Sequence, residues 1–189
     1  LFSNDILFIG TRKGFCAYTG SKIDSRDIYK KINGNVKKIL DDKGVLHIIT
    51  TRGYYLLDVT KPNYKLDSIA IPNITSQGPT DAEFDEDGNL WISTNKKGLF
   101  FIEKTISTKI PKFVLIQNSV ASSTIKNKLV RIVNFNSSNL FKGDAIYSIE
   151  FDKRNNLLVS DWGNGLAEIK FDFINNTGFS ANYLNLDSI

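Results

Sequence analysis

The residues best placed to do chemistry in this 189-residue chain gather in one short stretch, DEDGNLWIST, at 85–94. Its acids and central glycine invite a calcium-loop reading, with oxygen ligands at loop positions 1, 3, 5 and 12 and a glycine at 6 for the bend. With Gly88 at position 6, Glu83, Asp85 and Asp87 fall at positions 1, 3 and 5. Position 12 is then Thr94, which has no carboxylate to offer. Trp91 and Ile92 would also lie inside the loop, although they read as strand core. A tight turn is the better reading, because Asp–Gly tolerates the positive φ that hairpins require. No metal and no cofactor is expected.

Nucleophilic catalysis fares no better. His47 is the chain's only histidine, and it stands in an apolar run, so it reads as a strand-core residue. A Ser-His-Asp or Cys-His arrangement would have to use it. Cys16 is the single cysteine and forms part of the alternating run GFCAY, as a small apolar residue rather than a reactive thiol. Paired carboxylates could drive acid–base chemistry. However, Asp41, Asp42, Asp85, Glu86, Asp87 and Asp152 all fall where turns are expected. No catalytic residue is assigned.

Composition sets wide bounds. A hydrophobic fraction of 41% over 189 residues supports one sizeable core. The net charge of +4 is mild, so nucleic acid is not an expected partner. No apolar run reaches the roughly 18 residues that a membrane helix needs, and the N-terminal LFSNDILFIGTRKG lacks a signal-peptide pattern. The chain does not open with methionine and contains none, so an excised or processed segment is expected.

The elements that must position these residues recur. NLWIST aligns with ILFIGT (6–11), VLHIIT (45–50) and NLLVSD (156–161), placing Phe8, His47, Trp91 and Leu158 in one register position. A glycine follows each, at Gly14, Gly53, Gly98 and Gly165, and a second apolar run begins there. Asp41, Asp85 and Asp152 each precede the register leucine, behind the apolar segments VKKIL, DAEF and AIYSIEF. YKLDSIAI or FVLIQ supplies a further strand. Short β-rich runs with Gly, Asn and Asp at the joints predict antiparallel strands and little helix. Strand quartets recurring about every 40–45 residues are the pattern of β-propeller blades.

The expected fold is therefore all-β: a β-propeller segment of about four blades, each a four-stranded antiparallel sheet, with the first and last blades incomplete. The repeats run roughly over 1–33, 34–77, 78–117 and 144–189 of a single domain, with an insertion at 118–143 that carries the basic cluster KNKLVR. Trp91 should pack between neighbouring blades. The sequons at Asn73, Asn136 and Asn175 are read as chance matches in a chain rich in Asn and Ser.

DEDGNLWISTNKKGLFFIE resembles the two-component regulator propeller repeat, and DWGNGLAEIKFD and DDKGVLHIITTRGYYLLD look like variants of it. That resemblance implies the extracytoplasmic, periplasmic sensor of a bacterial hybrid histidine kinase, with no enzyme activity in this segment and an oligosaccharide-type ligand. Propeller topology would open the loops TRKG, TTRG, TNKKG and SDWGNG on one face. The ligand-binding candidates are Arg12, Lys13, Arg52, Lys96, Lys97, Asp161, Trp162 and Asn164. The cations suit an anionic or polar ligand and the tryptophan offers an apolar platform. Other expected partners are the remaining blades of a parent protein or a second copy; no membrane contact is expected. The alternatives are a protein-binding scaffold propeller and a metal-dependent propeller hydrolase.

Overall fold

The computed structural model describes residues 1–3, 5–24, 26–69, 78–104, 121–125, 128–138, 140–172 and 178–184. β-Branched and aromatic runs broken by Gly, Asn and Asp become strands, and the strands assemble into four antiparallel sheets. The first sheet holds β1 (Phe2–Ser3), β2 (Ile6–Thr11), β3 (Gly14–Tyr18) and β4 (Ile23–Asp24). A single helical turn, α1 (Asp27–Lys30), leads to β5 (Val36–Asp42), β6 (Val45–Thr50), β7 (Gly53–Asp58) and β8 (Lys65–Ile69) of the second sheet. The third contains β9 (Pro79–Phe84), β10 (Leu90–Thr94), β11 (Leu99–Ile102), β12 (Ala121–Ile125) and β13 (Lys128–Phe135), in the order β12-β13-β11-β10-β9. The fourth is β14 (Ile146–Phe151), β15 (Leu157–Asp161), β16 (Gly165–Asp172) and β17 (Gly178–Tyr183).

Three details differ from expectation. The first sheet begins with its own innermost strand, because the two residues of β1 pair with Leu7 and Ile6. The last sheet likewise carries four strands, its outer one drawn from GFSANY. Within the expected insertion, β13 pairs with both β11 and β12, so residues 128–131 of KNKLVR lie in an interior strand of the third sheet rather than at an edge. FVLIQ, Asn73 and Asn175 lie outside the described residues. Asn136 is described: its side chain donates to Asn134 Oδ1 at 2.9 Å and accepts from Ser138 N at 2.8 Å.

The repeated aspartates shape turns. Asp85 accepts from Asn89 N (2.8 Å), Asn89 Nδ2 (2.9 Å) and Trp91 Nε1 (3.0 Å). Asp152 makes the same pair of bonds to Asn156, and Asp41 receives Gly44 N at 2.7 Å. Bonds from Asn156 and Arg154 hold the Asp152 carboxyl below its ordinary value. These carboxylates close loops, and Trp91 and Ile92 sit in a strand that is buried at every position.

The chain forms two compact units, Leu1–Pro79 and Thr80–Ile189. In the first, Phe8 joins Phe15, Ala17, Tyr29 and Ile32 in a core with Leu46, Ile48 and Leu57 of the second sheet. In the second, Trp91 stacks on Phe135, tilts against Phe101 and meets Phe151 of the fourth sheet edge-on at 6.4 Å. Strand alternation explains the recurrence. The register position of Phe8 and Trp91 faces the following sheet, while the neighbouring leucine of that sheet, Leu46 or Leu157, faces back. Trp91 therefore packs between adjacent sheets.

Candidate functional site

Each candidate binding residue lies at a hairpin turn between the second and third strands of a sheet. The strand end that closes the turn is a threonine in three of the four. Thr11 Oγ1 donates to Gly14 O and accepts from Lys13 N. Thr50 Oγ1 donates to Gly53 O and accepts from Arg52 N and Gly53 N. Thr94 Oγ1 donates to Gly98 O at 2.9 Å and accepts from Lys97 N at 3.1 Å. Each hydroxyl satisfies its own turn locally, as serine and threonine commonly do. The side chains of Arg12, Lys13, Arg52, Lys96 and Lys97 are exposed beyond these closures.

The fourth turn is closed by Asp161 instead. Its side chain is 2% exposed and bonds outside its own hairpin. Asp161 Oδ2 accepts from Gly143 N at 3.1 Å and from the Tyr183 hydroxyl, and Oδ1 accepts from Asn164 Nδ2 at 3.1 Å. Burial, and then the hydrogen bond to Asp161, push the Tyr183 phenol up to about 12. Lys142 N donates to the same hydroxyl oxygen at 2.7 Å, and Lys142 Nζ lies 4.3 Å from the Tyr183 ring centroid.

Residues 143–145 join the two turns of the second unit. Gly98 N donates to Asp144 O at 2.8 Å and Trp162 N donates to Ala145 O at 2.8 Å, while Ser137 N donates to Asp144 Oδ1. Gly98 has φ 69, and a Cβ there would lie 2.0 Å from Phe135 O, so only glycine fits this closure. The turns bearing Lys96, Lys97, Asp161, Trp162 and Asn164 thus flank one short segment. Arg12, Lys13 and Arg52 belong to the other unit.

Trp162 does not bury itself against its own sheet. It remains 69% exposed and lies against Tyr147, 47% exposed, with ring centroids 5.1 Å apart and planes inclined at 37°. Tyr147 sits at a β-bulge, where the register of β14 against β15 shifts between Ile146 and Ser148. Sequence reasoning missed this residue. The available signal was AIYSIEF, where Tyr147 interrupts the strict alternation of inward Ile146 and Ile149.

His47 and Cys16 both lie within strands. His47 lies in β6, half-buried, with Nδ1 2.5 Å from the Tyr54 hydroxyl. Burial raises the Tyr54 phenol well above its ordinary value. Cys16 is half-buried in β3 opposite Ile9.

Strand order and turn chemistry together define a class: an all-β protein of consecutive antiparallel sheets joined by short polar turns. No family model and no curated protein matches the chain. Solved structures do. The extracellular domain of the putative one component system BT4673 from B. thetaiotaomicron matches with a TM-score of 0.64 and 18% identity, over 100% of this chain and 22% of that one. A second structure, of the extracellular domain described as that of the putative hybrid two component system BT4673 from the same organism, matches with the same TM-score and identity over 98% of this chain and 21% of that one. The chain shares the fold of these extracellular domains and spans about a fifth of their length.

Proposed function

We propose that this chain is part of the extracytoplasmic, ligand-sensing region of a two-component-type receptor and carries no catalysis of its own. The observation that supports the reading is the likeness, over 98% of the chain, to the extracellular domain of a putative hybrid two component system. The side-chain chemistry agrees with it: the repeated acids close turns, His47 pairs with a buried tyrosine, and exposed polar and aromatic groups sit on turns that packing leaves free to vary. The ligand class is a saccharide, held on each unit by its own exposed turn residues: Arg12, Lys13 and Arg52 on the first, and Lys96, Lys97, Trp162 and Asn164 on the second, where Asp161 holds its turn in place. Further sheets, from the rest of a longer receptor or from a second copy, would complete the assembly and pass the signal on.

Deletion of the encoding gene tests this reading. Transcriptional induction by one class of glycan should disappear, while the response to unrelated carbon sources persists. Unchanged induction across a glycan panel would overturn it, as would hydrolysis of any panel member by the purified chain.

A further inference from the structure

The fold has no need of the aromatic pair on the fourth turn, and the second sheet acts as an internal control. There β5 bulges at the matching place, between Val36 and Lys38, and Thr51 N donates to Asn35 O just as Trp162 N donates to Ala145 O. The exposed Lys37 stands where Tyr147 stands, and Thr51 stands where Trp162 stands. The same backbone closure therefore forms with no aromatic ring in either position. Two large rings held in water, in contact with each other, cost solubility and return nothing to the core.

We propose that Tyr147 and Trp162 form a stacking platform for the C–H face of a neutral pyranose unit in an oligosaccharide. The face of an aromatic ring is electron-rich, and the C–H bonds on the flat side of a sugar ring present weak positive charge to it. Two rings inclined at 37° make a shallow apolar trough. Polar side chains adjoin the rings in sequence: Ser148, whose hydroxyl donates to Asp81, follows Tyr147, and Asn164, whose amide donates to Asp161 and to Trp162 O, lies two residues beyond Trp162; both are exposed. An apolar centre with a hydrogen-bonding rim matches a sugar, which is apolar on its faces and polar at its edge. A stable protein partner would need on the order of 1,200 Å² of buried surface, far beyond a patch of two rings. Both rings are open to solvent, Trp162 at 69% and Tyr147 at 47% exposure. The trough is also held in advance of binding. Asp161 ties the turn to Gly143 and Tyr183, and the β14 bulge sets the direction of Tyr147. The biological use of the platform rests on the ligand-sensing reading above, but the binding itself does not.

The chain's two tryptophans make the test direct. Trp91 is 1% exposed and Trp162 69%, so acrylamide quenches chiefly Trp162. Cellohexaose, xylohexaose, mannohexaose and galactohexaose would be titrated in turn against the purified chain. At least one should shield Trp162 from acrylamide, with an affinity unchanged in 0.5 M NaCl to within about twofold, since stacking on a neutral sugar neutralises no charge. By calorimetry, W162A should weaken that sugar about tenfold or more, Y147A should weaken it severalfold, and Y147F should bind as the parent does. Circular dichroism and an unchanged melting temperature would confirm that the variants are folded. If no sugar of the panel shields Trp162, the platform is overturned. If a sugar binds W162A as tightly as the parent, the platform falls while the sensing reading stands. If binding weakens about tenfold in high salt, it belongs to the basic turns and the platform falls.

Discussion

The turns after Thr94 and after Asp161 occupy the same place in consecutive sheets of one unit, yet they are secured by different means. Thr94 satisfies its own hairpin, donating to Gly98 O and accepting from Lys97 N. Asp161 spends its carboxylate on Gly143 N, the Tyr183 hydroxyl and Asn164 Nδ2. The first turn is also held from outside, through Gly98 N to Asp144 O and Asn134 Nδ2 to Lys97 O, but its threonine hydroxyl bonds only within the hairpin, and the turn presents exposed cations. The closing carboxylate of the second reaches Gly143 and Tyr183 of β17, and that turn presents an exposed tryptophan. The tryptophans near these turns diverge in the same way: Trp91 is locked among Phe101, Phe135 and Phe151, and Trp162 stands in solvent. A repeat thus keeps its backbone constant while single side chains reassign a position from closure or packing to presentation.

The comparison can be broken at four points. The largest effect is expected at Trp91, where truncation to alanine removes a buried ring and should cost about 3–5 kcal/mol, measured by equilibrium urea unfolding. A loss under about 1 kcal/mol would show that the ring does not join the sheets. Next comes D161A, which leaves the Gly143 amide and the Tyr183 hydroxyl without their acceptor and should cost about 1–3 kcal/mol. Amide exchange should speed up at Gly143 as well as within its own turn. T94A should cost only about 0.5–1.5 kcal/mol and leave exchange outside its hairpin unchanged. Equal costs and equal spread for these two variants would erase the distinction. Smallest is W162A, expected within about 0.5 kcal/mol of the parent because the ring is largely exposed and packs only on the half-exposed Tyr147.

The Tyr183–Asp161 bond also has a pH signature. The folded phenol is raised to about 12, against roughly 10 for an unfolded tyrosine. Its contribution is therefore complete below pH ~10 and is lost as pH rises towards 12. Melting temperature against pH should fall more steeply in the parent than in Y183F across that window. Parallel curves would show that neither burial nor the bond to Asp161 raises the phenol in the folded state.

Much of the architecture is legible in the chain. The register shared by ILFIGT, VLHIIT, NLWIST and NLLVSD places β2, β6, β10 and β15 in equivalent positions, because alternation along a strand dictates which side chains face a neighbour. The turn reading of DEDGN also holds, since Asp85 turns its oxygens to Asn89 and Trp91. The outer strands are harder to read. The basic cluster at 126–131 reads as a solvated loop or strand edge, but its residues 128–131 belong to β13, which pairs with both β12 and β11 through the backbone, a pairing that any side chain permits. The site is legible only in part. The candidate residues lie at hairpin turns as expected, but Tyr147 is hard to read because a bulge breaks the two-residue period, and the irregular spacing of AIYSIEF is its one trace in the sequence. Asp161 reads as a rim ligand and proves to be a buried acceptor, because Tyr183 lies 22 residues away and only the sheet brings it close.

By itself, then, the sequence determined the strands, their register and the turns that join them, since alternation and turn chemistry act over a few residues. Only the tertiary structure decided which polar groups are consumed by the fold and which rings are left in water. Those outcomes depend on contacts between segments far apart in the chain, where burial and hydrogen-bond geometry, not local preference, set the energy.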